Sequence, residues 1–353
     1  MKGPLIGPVK GKLPLAVALK TDDKLASFTR IVGQLRSLNE SDLNAVDEGI
    51  QVRLASPVSM IPDLAGHLIN AGGKRLRPLL TLTAARSLNY HGENHIHLAA
   101  AVELIHGATL LHDDVVDGSA LRRGAKTANI IWGNKESVLV GDFIFSRAFE
   151  LMVEAKDLRI LQILSHASSV IAEGEVLQLA TQKNLNTTKD MYIDVINAKT
   201  AALFAAATHV GAVIAKSAPP IEDAMAGFGR NFGISYQLID DALDYAGYET
   251  KLGKSVGDDF REGKMTLPII AALSNANQLE KSFWKRTITD GVQSDGDFDQ
   301  ACDFIQKHNG VDATFTLANE YAAKAIECLQ ILPDNEYTAI LADLVETSLT
   351  RSH

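Results

Sequence analysis

Residues 110–124 read LLHDDVVDGSALRRG, in which three aspartates precede a pair of arginines. The outer acids, Asp113 and Asp117, are four residues apart, so on a helix they share one face and lie about 6 Å apart along the axis. Asp114 lies beside them. Carboxylates this close repel each other, and their oxygens suit Mg²⁺, which binds one or two carboxylates and completes its shell with water and substrate phosphates. The spacing therefore predicts a helix that carries a magnesium site.

The residues after the acids agree with this interpretation. Gly118 allows the helix to end, and Arg122 and Arg123 are donors of the kind that bind phosphate oxygens. For this stretch alone, the alternative is a solvated acidic helix end followed by a basic loop, because short motifs often occur without function.

A second stretch, QLIDDALD at residues 237–244, repeats the acidic spacing with Asp240, Asp241 and Asp244. Apolar residues surround these acids, so the helix is expected to be largely buried. Ionised acids on a buried helix are rare unless they are paired or bind metal. Two such clusters that face each other would hold Mg²⁺ ions around one diphosphate.

Further motifs accompany the two DDxxD sequences. They are GGKRLRP at residues 72–78, the pair Lys199-Thr200 and the pair Gly263-Lys264. In this order, across roughly residues 70 to 270, the motifs resemble those of the trans-isoprenyl diphosphate synthases of the long-chain polyprenyl type. The resemblance implies a prenyltransferase that joins an allylic diphosphate, farnesyl diphosphate or a similar primer, to isopentenyl diphosphate and releases pyrophosphate.

The composition limits the other functions that this chain could have. The 353 residues include 34 lysines and arginines against 43 acids, a net charge of −9, and 46% are hydrophobic. This length suffices for one large core or two ordinary domains, and an acidic chain is a poor nonspecific ligand for nucleic acid. The two cysteines, Cys302 and Cys328, have no metal-binding spacing and are interpreted as buried free thiols. No stretch of about 18 apolar residues without a charge occurs, so we expect no transmembrane helix.

The pattern of the whole chain predicts one all-α domain. Residues 1–20 carry four lysines and no acid and are interpreted as a flexible basic tail, with organellar targeting as the alternative. From residue 21 to residue 353 helical periodicity dominates and strand signals are nearly absent. We therefore expect a single large helical bundle around a central cavity, of the isoprenoid synthase type.

Three cations directly before a helix form a candidate anion site. Lys74, Arg75 and Arg77 follow a glycine pair and precede a long apolar helix, an arrangement that suits a phosphate, although such cations are ordinarily solvated. His106 lies on the same helical face as Asp113, where a histidine is more often a core residue. The resemblance assigns the diphosphate of isopentenyl diphosphate to Lys74, Arg77, His106 and Arg123.

The remaining cations are candidates for the allylic diphosphate. Lys199 interrupts an apolar, alanine-rich helix predicted over residues 191–215, and a buried lysine needs an anion, either a protein carboxylate or a diphosphate. Lys254 and Lys264 lie in a glycine-rich segment that reads as a solvated loop or as a closing lid.

The resemblance supplies a role for each of these residues. Asp113, Asp117 and Asp240 are the first candidates for Mg²⁺ ligands, followed by Asp244 and Asp114. The allylic diphosphate is assigned to Arg122, Lys199, Lys254 and Lys264. Oxygens of Thr200 and Gln237 would stabilise the allylic cation. No side chain stands out as a general base, and in this family the released pyrophosphate is thought to take the proton.

Three other functions compete with this prediction. A class I terpene cyclase shares the first acidic motif, but its second motif typically mixes Asn or Asp with Ser or Thr and Glu. A noncatalytic regulatory subunit would usually have lost acids or the arginine pair, and here all are present. The third is a helical metal-binding protein without catalysis.

Two small residues before the first acids bear on product length. Ala108 and Thr109 lie one helical turn from Asp113, where short-chain relatives carry aromatic rings that close the channel. We therefore expect a deep channel and an octaprenyl to decaprenyl product for quinone side chains, although small residues also simply allow close helix packing. We further expect a cytoplasmic homodimer that contacts a membrane transiently when it releases its product.

Overall fold

This computed structural model describes residues 21–70, 72–246 and 257–352 of the chain. These residues are mostly helical, and the strands among them form one short antiparallel pair. The prediction of an all-α fold is therefore confirmed. The α-helices of the described residues are α1 (Thr21–Leu38), α2 (Glu40–Leu54), α3 (Met60–Asn70), α4 (Leu76–Ser87), α5 (Asn94–Val116), α6 (Ala128–Ile131), α7 (Asn134–Glu154), α8 (Leu158–Thr181), α9 (Lys189–Ile196), α10 (Ala202–Ile214), α11 (Pro219–Leu243), α12 (Asp258–Glu262), α13 (Leu267–Ser274), α14 (Gln278–Trp284), α15 (Asp297–Lys307), α16 (Gly310–Leu329) and α17 (Glu336–Leu349).

Helix α10 lies at the centre of the bundle, where it packs against α4, α5, α8 and α11. From Leu203 to Ile214 every residue of this helix is buried except His209. Five alanines and one glycine in this helix leave room for neighbouring backbones to approach closely. The alanine-rich pattern thus places α10 inside the bundle, where its most extensive contacts are with α11 and α4.

A second hydrophobic cluster is formed largely by side chains of helices α12 to α15. Its largest members include Phe260, Trp284 and Ile305, which come from α12, α14 and α15. Because Phe260 is 1% exposed, burial of its ring fixes the short helix α12 on this cluster. The cluster therefore holds the backbone just before Lys264 in place.

The structure differs from the sequence prediction at three short elements. Residues 121–126 were expected to be loop but form the strands β1 (Leu121–Arg122) and β2 (Ala125–Lys126), with Arg122 opposite Ala125. Arg123 and Gly124 both have positive φ, as a two-residue hairpin turn of the primed type requires. The predicted solvated loop before Lys264 contains α12, and the long helix predicted over residues 191–215 contains a π-helical turn at Asn197–Ala201.

In the part of the chain that the structure describes, no helix combines the length and the apolar character needed to cross a membrane.

Candidate active site

Both acidic motifs lie at the C-terminal ends of long helices. Helix α5 ends at Val116 with Asp117 as its cap, and α11 ends at Leu243 with Asp244 as its cap. The C-terminal end of a helix carries a partial negative charge, which is unfavourable for carboxylates. The helix ends therefore add to the mutual repulsion of the acids, and each motif favours a nearby cation.

Asp113 faces a lysine from the neighbouring helix layer. The Lys199 ammonium lies 3.9 Å from the Asp113 carboxylate and 2.7 Å from that of Glu175 on α8. Burial raises the pKa of Asp113 to about 7, and Glu175 and Asp117 add to the rise while Lys199 opposes it. A further cation at Asp113 would favour its ionised form.

Asp117 faces the cation that follows α12. The Lys264 ammonium lies 3.5 Å from the Asp117 carboxylate and also pairs with Glu262. Burial alone would lower the pKa of Lys264, but Asp259, Asp117 and Glu262 raise it above its ordinary value. Lys264 thus remains charged beside the acids.

Asp114 and Arg122, which were predicted to bind metal and diphosphate, bind each other. Asp114 is 1% exposed and accepts hydrogen bonds from Nε and Nη2 of Arg122 at 3.0 and 2.7 Å. The backbone carbonyl of Asp114 also accepts a hydrogen bond from Asn129. The middle acid therefore anchors the hairpin that presents the arginine pair.

The π-helical turn between α9 and α10 carries Lys199 and Thr200. Two glycines allow neighbouring helices to pack directly on this turn. A Cβ atom at Gly174 would lie 2.9 Å from the backbone nitrogen of Lys199, and one at Gly233 would lie 2.8 Å from the Ala201 Cα. Such turns occur often at functional sites, and here α8 and α11 hold the turn from both sides.

A chain of hydrogen bonds joins this turn to the second acidic motif. The Thr200 hydroxyl donates to Oε1 of Gln237 at 3.0 Å, and Nε2 of Gln237 donates to Oδ1 of Asp241 at 2.7 Å. The Tyr192 hydroxyl donates to the other oxygen of Asp241 at 2.5 Å. Burial raises the pKa of Asp241 to about 7, although these hydrogen bonds oppose the rise.

Asp244, the last acid of the second motif, anchors α12. Its two carboxylate oxygens accept hydrogen bonds from the backbone nitrogens of Gly257 and Asp259, each at 3.0 Å. Lys264 follows this helix and reaches Asp117 of the first motif. The two motifs are therefore connected twice, through α12 with Lys264 and through the π-helical turn with Lys199.

A basic pocket forms where the start of α4 meets α5 and the hairpin. Arg75 pairs with Glu103 and Asp47. By contrast Lys74, Arg77 and Arg123 form no ion pair with any carboxylate of residues 21–70, 72–246 and 257–352. Burial lowers the pKa of Arg77 to about 10, and the Arg123 guanidinium lies over Gly73. Lys74 and Arg77 are partly buried and Arg123 is exposed, and cations gathered without carboxylate partners favour an anion.

His106 is part of the same basic pocket and is neutral there. Burial lowers its pKa far below the ordinary value, and the nearby arginines, Arg77 and Arg123 first among them, lower it further. Nη1 of Arg77 lies 3.2 Å from Nε2 of His106. A neutral imidazole can accept this hydrogen bond, so His106 helps to orient Arg77.

The sequence analysis missed one cation of this pocket, Arg351. Its side chain is buried, with the guanidinium carbon 4.1 Å from the ring centre of Tyr236 and 4.8 Å from that of Phe28. Burial alone would raise the pKa of Tyr236, but Arg351 and Lys74 lower it below its ordinary value. The linear sequence gives no signal for this contact, because Phe28 and Tyr236 lie far from Arg351 in the chain and meet it only in the folded bundle.

The two residues predicted to set product length differ in exposure. Ala108 is 1% exposed, and Thr109 is partly buried with its hydroxyl bonded to the His106 carbonyl. One turn further from the acids, Val102 and Ile105 are fully buried. This face of α5 is thus lined by side chains without large rings.

The acids fit Mg²⁺ by their chemistry. No three Asp, Glu, His or Cys side chains come close enough to hold a metal ion together, within the ranges that the structure describes. Mg²⁺ is usually bound by one or two carboxylates together with substrate phosphates, without an all-protein cage. Asp113 and Asp117 can supply such a pair. The remaining predicted ligand of the diphosphate, Lys254, lies outside the described residues.

Comparison with known proteins gives consistent matches. Residues 58–305 match the family model described as polyprenyl synthetase. The octaprenyl diphosphate synthase of Haemophilus influenzae is 40% identical over 322 residues, which are 91% of this chain and 98% of that protein.

Two solved structures resemble the fold closely. The crystal structure of a decaprenyl diphosphate synthase from Rhodobacter capsulatus has a TM-score of 0.88 at 48% identity and covers 91% of this chain and 99% of its own. A polyprenyl synthase from Caulobacter crescentus, in complex with calcium and isoprenyl diphosphate, has a TM-score of 0.88 at 49% identity, covering 91% of this chain and 98% of its own.

Gly233→Ala should displace the π-helical turn, because the new methyl group would meet the Ala201 backbone. Overpacking of this kind typically costs about 1–3 kcal/mol, so we expect a lower midpoint of thermal unfolding. Gly33→Ala is the matched control, since it lies in α1 with nothing within 4 Å of its Cβ position. That change should be neutral or stabilise the protein by up to about 1 kcal/mol. Equal midpoints for the two variants would contradict a tightly held turn.

Proposed function

This chain belongs to the polyprenyl synthetase family and is a prenyltransferase of the long-chain polyprenyl diphosphate synthase type, and we propose that its two clusters of charge bind different substrates. The allylic diphosphate binds between the two acidic motifs, and isopentenyl diphosphate binds in the basic pocket. The charge of each region is the observation that supports separate sites for the two substrates. Carboxylates and paired lysines line the first, whereas Lys74, Arg77 and Arg123 lack carboxylate partners among the described residues.

In the allylic site, Asp113, Asp117 and Asp240 would hold Mg²⁺, and Asp244 and Asp114 are the next candidates for its ligands. Mg²⁺ held there would supply positive charge to the departing pyrophosphate. Arg122, Lys199, Lys264 and Lys254 contact the same diphosphate. Lys199 and Lys264 already lie against Asp113 and Asp117, so a diphosphate held by these acids would meet both lysines.

Breaking the bond between the allylic carbon and its diphosphate oxygen leaves a carbocation. Oxygens of Thr200 and Gln237 stabilise this cation by their dipoles, and such prearranged electrostatics is usually the largest catalytic contribution. The alkene of isopentenyl diphosphate then attacks, a carbon–carbon bond forms between the two substrates, and a proton leaves the new chain. The released pyrophosphate takes this proton.

Isopentenyl diphosphate is held in place by Lys74, Arg77, His106 and Arg123. Neutral His106 accepts a hydrogen bond from Arg77, which leaves the other guanidinium donors to face an anion. Arg351 completes this pocket from the C-terminal end of the chain. We also propose a cytoplasmic enzyme whose product serves quinone side chains and whose release involves transient membrane contact.

The decisive experiment is incubation with radiolabelled isopentenyl diphosphate, farnesyl diphosphate and Mg²⁺. We expect labelled polyprenyl product from the unmodified protein and at least about a 100-fold lower rate for Asp113→Asn and Asp240→Asn, since each loses a metal ligand. Asp343→Asn, which changes an exposed acid of α17, is the control and should keep the full rate. Near-normal turnover of either site variant at saturating Mg²⁺ would refute the metal assignment.

Product length depends on the face of α5 next to Asp113. Ala108→Phe or Thr109→Phe should shorten the product from the octaprenyl to decaprenyl range without abolishing the first condensations. The ring would block the channel while the diphosphate sites stay intact. Chromatography of the dephosphorylated products measures the length, and an unchanged length in both variants would mean that the chain takes another route.

We propose a homodimer formed by the region around the hairpin. Large apolar side chains that are 45–67% exposed lie on the adjoining ends of α5, β1, α6 and α7, namely Val116, Leu121, Ile130, Ile131 and Leu139. Apolar surface on adjoining elements is typical of a protein interface. Sedimentation at micromolar concentration should give a species of twice the 38.0 kDa chain mass.

The variant Leu139→Lys should shift that species toward the single chain. Leu158→Lys is its control, because Leu158 is 83% exposed at the start of α8, beyond the C-terminal end of α7, whereas Leu139 lies near the start of α7. A 38.0 kDa species for the unmodified protein at every concentration would contradict the dimer.

A further inference from the structure

The middle acid of the second motif, Asp241, is used differently from its neighbours. It is 6% exposed, and its two oxygens accept hydrogen bonds from two protein donors, the Tyr192 hydroxyl and the Gln237 amide. Asp240, the preceding residue, is only partly buried. Asp241 therefore faces the interior of the protein, where each of its oxygens has a protein donor.

This contact decides which way the Gln237 amide points. The NH₂ end of the amide faces Asp241, where Nε2 donates to Oδ1 at 2.7 Å. The carbonyl end then faces Thr200, whose hydroxyl donates to it. The oxygens of Thr200 and Gln237 therefore each keep a free lone pair, and no N–H of Gln237 points toward Thr200. A reversed amide would instead place its NH₂ group, the positive end of the dipole, beside Thr200.

We infer that Asp241 is a positioning residue that fixes the Gln237 amide with its oxygen toward the reacting carbon. This inference rests on the proposed role of Thr200 and Gln237 in stabilising the allylic cation. Tyr192, on the helix just before the π-helical turn, completes the arrangement by holding the second oxygen of Asp241. Thr200, Gln237, Asp241 and Tyr192 thus form one chain of donors and acceptors with a single direction.

An exchange of the hydrogen-bonding roles can test this direction. In Asp241→Asn, the new amide can donate to Gln237 and allow it to reverse. In Gln237→Glu, two carboxylates would face each other. In the double variant, the amide introduced at position 241 donates to the carboxylate introduced at position 237, which again presents an oxygen to Thr200. The double variant should therefore recover activity that both single variants lose.

The measurement is the single-turnover rate of the first condensation, with limiting labelled isopentenyl diphosphate and saturating farnesyl diphosphate and Mg²⁺. We expect each single variant to be slower by about 10- to 100-fold, as for loss of one electrostatic group in a preorganised site. The double variant should be at least about tenfold faster than the product of the two single effects predicts. Asp343→Asn, which changes an exposed acid of α17, is the control and should leave the rate unchanged.

Two further readouts separate positioning from other roles. The Mg²⁺ concentration for half-maximal rate should not change in Asp241→Asn, whereas an increase like that of Asp240→Asn would make Asp241 a metal ligand and overturn the inference. Circular dichroism and the midpoint of thermal unfolding check that each variant folds. A purely structural Asp241 would lower the midpoint and would not be rescued by Gln237→Glu.

The remaining outcomes also discriminate. Additive effects in the double variant, or a normal rate for Asp241→Asn, would overturn the inference while leaving the proposed function intact. A normal rate for Gln237→Ala would instead remove the role of Gln237 in the proposed mechanism, and with it the reason for positioning this amide.

Discussion

The repulsion between carboxylates at two helix C-termini is the constraint on which the rest of this structure depends. Asp117 caps α5 and Asp244 caps α11, so both helix dipoles oppose the charges that they carry. The protein offsets this repulsion with Lys199, Lys264 and the backbone nitrogens at the start of α12. A region held together in this way suits divalent cations, whose charge the acids balance, and a diphosphate, whose charge the lysines balance.

The six acids of the two motifs have different uses because their surroundings differ. Asp114 is buried against Arg122 and holds the hairpin, Asp241 is buried against Tyr192 and Gln237, and Asp244 binds the backbone of α12. Asp113 and Asp117 instead face lysines, in a geometry that a metal-bound diphosphate could share. A repeated sequence motif therefore supplies both the candidate metal ligands and the supports that keep the site rigid.

Much of the fold and of the site could be predicted from the sequence. Helical periodicity, the two DDxxD motifs and the cations near them identify an all-α bundle with diphosphate chemistry, and the comparisons confirm the family. The prediction failed at short elements. The hairpin at 121–126, helix α12 and the π-helical turn are too brief for a periodic pattern, and each forms because of contacts made elsewhere: Asp114 with Arg122, Phe260 in its cluster, and glycines that admit α8 and α11.

By itself, the sequence determined which residue types are available and at what spacing, because helical spacing alone puts Asp113 and Asp117 on one face. Only the tertiary structure decided the use of each residue, since burial and partners come from distant parts of the chain. Arg351 joins Lys74 and Tyr236 from the opposite end of the sequence. Likewise Asp241 and Asp240 are adjacent and identical in chemistry, yet one is buried between two donors and the other is partly exposed. A helix turns about 100° per residue, so neighbouring side chains meet different surroundings, and those surroundings exist only once the bundle has packed.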